Sequence, residues 1–280
     1  MPKLATKVMN WLDPQSDDVI LDIGCGGKWF RKNPSPSQHW GCQHAELRLD
    51  GVLDLQIAQV LSKGKGSLHG VDSSHAMIAA ADKAAKDAGL PNCVFEVLDA
   101  ADLVSKPELQ KAQFTRVFSN AAMHWILRPQ DKRELFFEGV KNALLPGGRF
   151  VFEMGGLGNV AEMRTALLMA LGRRVGLEKA QEVDPWFFPD EDWVKEVMEE
   201  KVGGWKIEKI EREWRPTTAD EGGVEGWLRL MGKQFFNALP AGEREACIKE
   251  AVDVLEVVCA KPGGGYMFSY VRLRAVAIKL

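Results

Sequence analysis

The sequence predicts an α/β fold: an open, mostly parallel seven-stranded sheet with an antiparallel last strand and a helical cap. Three observations predict it. Short apolar runs alternate with stretches of helical period, which is the pattern of βαβ units. The first run, Val19-Ile20-Leu21-Asp22-Ile23, ends in glycines. The last segment sets Val271, Leu273, Ala275 and Ala277 against Arg272, Arg274, Val276 and Ile278, the period of a strand.

The elements follow in order. Val19 to Ile23 suits a strand buried on both faces. Ser67 to Val71 is the second strand. Asp72-Ser73-Ser74 then opens a helix from Ser74 to Ala88, with a hydroxyl cap and a stop at Gly89 before Pro91. Val94 to Leu98 and Phe114 to Ser119 are the third and fourth strands. Asp131 to Leu145 reads as a helix ended by Pro146-Gly147-Gly148, and Phe150 to Met154 as the fifth strand. Right-handed crossovers join them. In the second half Leu157 to Val175, Asp190 to Lys201, Val224 to Leu239 and Ala241 to Cys259 carry helical period. Trp205 to Trp214 and Tyr266 to Leu280 supply the last two strands. A single domain spanning 1–280 is expected, with 157–201 and 222–261 forming a helical substrate cap over the carboxyl edge of the sheet.

Composition narrows the function classes. The 280 residues are 46% hydrophobic and 27% charged, enough to bury a full core. The net charge of -3 and the scatter of basic residues argue against a nucleic-acid partner. No apolar stretch reaches the ~20 residues of a membrane helix, and Met1-Pro2-Lys3-Leu4 does not open a signal peptide. Cys25, Cys42, Cys93, Cys247 and Cys259 form no CxxC pair. A cytoplasmic protein acting on a small molecule is expected, with no metal. His39, Cys42 and His44 lie close together but lack a fourth ligand.

An open parallel sheet binds its ligand beyond the carboxyl ends of its strands. Here the first strand runs into Asp22-Ile23-Gly24-Cys25-Gly26. Glycines let the backbone turn tightly and approach a ligand. An acidic residue about 20 positions later should hold ribose hydroxyls. Asp72, at the end of the second strand, fits that role but arrives late. The excess is the segment Gly27 to Leu49, rich in Pro, Ser, His and Trp and without clear period. Removing it joins Gly26 to Asp50-Gly51-Val52 and completes a glycine loop, followed by a helix from Leu53 to Leu61. Gly27-Lys28-Trp29 can be encoded GGT AAG TGG, which contains a splice donor. Leu49-Asp50 can be encoded CTA GAT, which contains an acceptor and restores an Asp codon on joining. A retained intron is the reading favoured here, and a genuine surface insertion is its rival.

The completed loop resembles that of class I S-adenosylmethionine-dependent methyltransferases, a Rossmann-like family. Later motifs resemble the small-molecule branch around trans-aconitate methyltransferase. They are Phe118-Ser119-Asn120-Ala121-Ala122-Met123-His124-Trp125, Leu145-Pro146-Gly147-Gly148-Arg149-Phe150, Glu153-Met154-Gly155-Gly156-Leu157-Gly158-Asn159-Val160, Pro185-Trp186-Phe187-Phe188-Pro189 and Tyr270-Val271-Arg272-Leu273-Arg274. The resemblance spans nearly the whole chain except Gly27 to Leu49. Relatives usually carry more residues before the first strand.

The resemblance implies S-adenosyl-L-methionine as cofactor and methyl transfer to a small molecule, with a carboxylate as one candidate acceptor. Two alternatives stand beside it: an impaired isoform with a disrupted cofactor loop, and an NAD(P)-dependent oxidoreductase, since such loops also bind dinucleotides. Asp22, Gly24, Gly26 and Gly51 are expected to shape the loop around the methionine part of the cofactor, and Asp72 to hold the ribose. The Asp99 carboxylate and the Ala100 N–H would meet the adenine, with a helix cap as the plainer reading of Asp99. Met77 packs on the adenine or fills core. Asn120 would meet the amino-acid end. His124 is the candidate general base for an acceptor that carries a proton. Trp125, Trp186 and Trp227 are candidate pocket walls, the last two equally readable as core. Arg272 and Arg274 could clamp a carboxylate or edge the sheet.

Overall fold

The computed structural model describes residues 6–25 and 53–280. Gly26, Gly51 and the segment 27–49, with His39, Cys42 and His44, lie outside the described residues.

The elements are α1 (Thr6–Leu12), β1 (Val19–Ile23), α2 (Leu53–Leu61), β2 (Ser67–Asp72), α3 (His75–Asp87), β3 (Cys93–Val97), β4 (Phe114–Asn120), α4 (Met123–Ile126), α5 (Arg133–Ala143), β5 (Leu144–Gly155), α6 (Ala161–Val175), α7 (Leu177–Glu182), α8 (Glu191–Lys195), β6 (Trp205–Thr218), α9 (Gly223–Met231), α10 (Lys233–Asn237), α11 (Ala241–Cys259) and β7 (Met267–Lys279). The strands form one seven-stranded sheet in the order β3-β2-β1-β4-β5-β7-β6. The β1–β2, β1–β4, β2–β3 and β4–β5 pairs are parallel, and the last strands run antiparallel. The order reverses between β1 and β4. That is the switch point where such sheets open a crevice for ligand.

The chain divides into two compact units: Met1–Glu153 with Lys195–Ile210 and Arg274–Leu280, and Met154–Val194 with Glu211–Leu273. In the first unit, β1 lies central and is buried from Ile20 to Ile23. One sheet face, through Ile20, Leu68, Phe118 and Val151, packs against Val8 and Leu12 of α1 and Leu55, Ile57 and Leu61 of α2. Phe150, the neighbour of Val151 along β5, points the other way, as strand geometry requires. It meets Phe136 and Phe137 of α5 at 6.4 Å between ring centroids. The second unit is helical around an aromatic centre described below.

Three differences from the sequence reading have physical causes. The fifth strand begins at Leu144 rather than Phe150. Phe114 pairs with Leu144 and Arg116 with Arg149, so the Pro-Gly-Gly turn bulges out of the ladder, with Gly147 at φ +74°. The helix expected over Val224 to Leu239 breaks at Gly232. A Cβ there would lie 2.7 Å from the Leu228 carbonyl and 3.0 Å from Leu167, so close packing demands the poor helix former. In β7 every residue from Arg272 to Ala277 is buried, so the alternation does not separate an inner from an outer face. Arg274 tolerates this because its Nε donates to Glu153 at 2.6 Å, and both side chains are 2% exposed.

Candidate functional site

The turn leaving β1 is held by its neighbours. The Gly24 and Cys25 amides both donate to the Val71 carbonyl, at 2.8 and 3.2 Å. Gly24 sits at φ +74°, and a Cβ there would lie 2.2 Å from the Ala122 Cβ. Only glycine satisfies both the conformation and the approach. The turn leaving β4 is also strained, with Ala121 at φ +59° and its amide donating to the Glu153 carbonyl. Ser119 Oγ donates to the Ile23 carbonyl at 2.9 Å and ties β4 to β1. The carboxyl ends of β1, β2 and β4 are thus locked together.

Polar groups gather there. Asp72 Oδ1 accepts from the Ser74 amide at 2.8 Å, which fixes the carboxylate at the end of β2. Asp22 is 2% exposed, and Asp54, in the first turn of α2, is 4% exposed. Burial, aided by the charges of Asp54 and Asp72, holds the Asp22 carboxyl well above the usual carboxylate range. Burial pushes Asp54 up to about 6. It also raises the Cys25 thiol, with the Asp54, Asp22 and Asp72 charges adding to it. Asp54 Oδ2 and Asn120 Oδ1 are among the buried oxygens that have no hydrogen-bond partner among the described residues.

The other expected cofactor residues are placed as follows. Asp99 follows β3, and its Oδ1 accepts from the Ala101 amide at 3.0 Å, so it does cap the short helical turn from Ala100 to Ser105. Ala100 beside it is buried. Met77 lies half-buried in the first turn of α3, where Ser74 is the N-cap. His124, 5% exposed, and the half-buried Trp125 sit on α4, with ring centroids 5.6 Å apart.

The second unit brings together Trp186, Trp227 and Arg272 but not Arg274, which belongs to the first. Trp186 stacks on Phe188 at 5.9 Å and 16°, with Trp227 at 6.1 Å and Phe235 at 5.7 Å. Trp227 Nε1 donates to the Tyr270 hydroxyl at 2.7 Å, and the Arg272 guanidinium lies 4.7 Å from the Tyr270 ring centroid. Arg164 pairs with Asp184 at 2.6 Å, and the other Asp184 oxygen accepts from the Trp186 amide.

Two residues escaped sequence reasoning. Tyr270 joins Trp227 to Arg272. Asp54 looked like an ordinary acidic residue in a first helical turn. Its signal was there: Asp54, Ile57, Ala58 and Leu61 mark the buried stripe of α2, so a carboxylate occupies a core position.

Residues 50–148 match the family model of the methyltransferase domain. Over 286 aligned positions the chain is 32% identical to an uncharacterized methyltransferase of Schizosaccharomyces pombe, covering 100% of this chain and 93% of that protein. The chain belongs to the S-adenosylmethionine-dependent methyltransferases. This family assignment displaces the oxidoreductase alternative. The fold agrees. The methyltransferase is similar to the YcgJ protein of Bacillus subtilis, with TM-score 0.59, 16% identity, 99% of this chain and 97% of that one covered. It is also similar to a phosphoethanolamine N-methyltransferase of Haemonchus contortus, bound to phosphomonomethylethanolamine and S-adenosylhomocysteine. There the TM-score is 0.51 and the identity 16%, over 99% of this chain and 52% of that one. The residues of the methyltransferase fit such a cofactor. The orphaned, buried Asn120 Oδ1 and the fixed Asp72 carboxylate stand at the ends of β4 and β2, and the Gly24 turn follows β1.

Proposed function

We propose that the methyltransferase moves a methyl group from S-adenosylmethionine to a small carboxylic acid, as in the trans-aconitate methyltransferase-like branch. The observation that carries the cofactor half is the convergence of the Gly24 turn, Asp72 and Asn120 on the carboxyl ends of β1, β2 and β4. The bound cofactor supplies an electrophilic methyl on a sulfonium. The chain's own task is to hold the partners close and exclude water. In this reading the Gly24 turn and Asp22 would lie at the methionine end of the cofactor, and Gly26 and Gly51 are proposed with them on the family resemblance alone. Asn120 Oδ1 accepts from the ammonium, Asp72 accepts from the ribose hydroxyls, and Asp99, Ala100 and Met77 bound the adenine.

For the acceptor, Arg272 is the proposed carboxylate partner. Its guanidinium lies over the Tyr270 ring at 4.7 Å, and a planar fork suits a carboxylate. Trp186 and Trp227 supply apolar walls. Arg274 has a structural task instead, given its pairing with Glu153. A carboxylate acceptor needs no base, so His124 would act only on a hydroxyl or amine.

The test is incubation with methyl-labelled S-adenosylmethionine and a panel of small di- and tricarboxylic acids. The proposal expects a base-labile methyl ester, and an Arg272→Lys variant that loses about tenfold or more in kcat/KM. A base-stable product whose formation depends on His124 contradicts the carboxylate reading. The segment 27–49 we propose to be intron-derived. The family match begins at residue 50, directly after it, in support. A mature message that always contains its codons overturns this and leaves a surface insertion.

A further inference from the structure

β5 lies between β4 and β7 in the sheet, so Glu153 has a neighbour on each side. Toward β4 it is the register partner of Asn120, and its carbonyl accepts from the Ala121 amide at 2.7 Å. Toward β7 its carboxylate accepts from Arg274 Nε at 2.6 Å. All four residues belong to the first compact unit. Ala121 sits at φ +59°, a conformation that a residue with a side chain keeps only where its surroundings over-determine it. Ala122, the next residue, occupies the space that a Cβ on Gly24 would need. The buried Asn120 Oδ1 is left without a partner among the described residues, and an acceptor of that kind calls for a donor.

Stability alone does not account for a buried ion pair behind that turn. An apolar pair of similar volume usually serves as well or better, because both charges give up their water. What a charged pair adds is geometry. A short, charge-assisted hydrogen bond fixes both side chains in one arrangement, whereas apolar contact is non-directional.

We propose that the Glu153–Arg274 pair positions the turn after β4, so that Asn120 meets the amino-acid end of S-adenosylmethionine. The inference rests on the cofactor reading above and makes Glu153 and Arg274 positioning residues of that site. Neither has to touch the cofactor. They act through the Ala121 amide and the backbone of Asn120. Loss of the pair leaves the adenosine end of the site alone and loosens the amino-acid end.

Two probes separate positioning from general support of the fold. S-adenosylmethionine carries the amino-acid end, and methylthioadenosine carries the adenosine without it. The variant of choice combines Arg274→Met with Glu153→Leu, since it removes both charges together and leaves no unpaired ion. Calorimetric titration should show its affinity for S-adenosylmethionine reduced about fivefold or more, with methylthioadenosine bound as by wild type. Asn120→Ala should show the same selective loss. Adding Asn120→Ala to the double variant should cost less than the sum of the two losses, because both act on one contact. Glu153→Gln keeps the shape and an acceptor but not the charge. It should show a smaller loss of the same kind, and it carries the test where the apolar pair does not fold. Unchanged affinity for S-adenosylmethionine in the pair variants overturns the proposal. So does an equal fall for both probes, the mark of a loosened fold, and so do additive losses. Failure of the wild type to bind S-adenosylmethionine, or wild-type binding by Asn120→Ala, overturns the cofactor reading itself.

Discussion

Gly24 has two independent reasons to lack a side chain: its positive φ and the Ala122 methyl in the path of a Cβ. They can be separated. Gly24→Ala should destabilise the fold by about 1–3 kcal/mol, the range for a strained backbone position. Adding Ala122→Gly should return the steric part and leave the φ part, as chemical denaturation would report. A double variant no more stable than Gly24→Ala would mean that backbone conformation alone is responsible. The placement of Asp22, Gly24, Asp72 and Asn120 at strand ends was legible in the sequence, because apolar runs that stop at glycine or a polar residue mark those ends locally. Asp54 stands out only through its burial on the core stripe of α2, which tertiary packing decides. Arg274, readable in the sequence as a carboxylate clamp or as an edge of the sheet, is instead buried on Glu153, a partner 121 positions away on β5 that the sequence does not announce.

At the scale of elements, that same pair sets the joint between β5 and β7. Both charges are buried, so breaking the pair from one side is costly. Arg274→Met should take its ion-pair partner from the buried Glu153 and cost about 3–5 kcal/mol in urea unfolding. Replacing both, with Arg274→Met and Glu153→Leu, should recover most of the loss. A single variant within about 1 kcal/mol of wild type would show that the pair is readily solvated. Element boundaries were legible where periodicity and caps agreed. Val19–Ile23, Leu53–Leu61 and Ala241–Cys259 match the sequence reading residue for residue. They were illegible where tertiary packing decides. The glycine break between α9 and α10 depends on Leu167 of α6. The helix expected from Asp190 is α-helical only through Lys195 and then widens to a π-helix as far as Val202.

For the whole molecule, the two units divide the residues that the sequence had assigned to one site. The first holds every described candidate for the cofactor, with His124 and Trp125, and the second holds Trp186, Trp227, Tyr270 and Arg272. The cofactor side was legible because its motifs follow one another along the sheet. The acceptor side was less so, because aromatic residues at helical spacing fill cores as readily as pockets. Among the described residues no helix is long and apolar enough to cross a membrane. The central claim is that the carboxyl ends of β1, β2 and β4 hold S-adenosylmethionine. Calorimetric titration of that cofactor into wild type and Asp72→Ala tests it most directly. The account predicts one equivalent bound by the wild type, and a loss of about tenfold or more in the variant, where hydrogen bonds to a charged acceptor disappear. Equal binding by both proteins would contradict it.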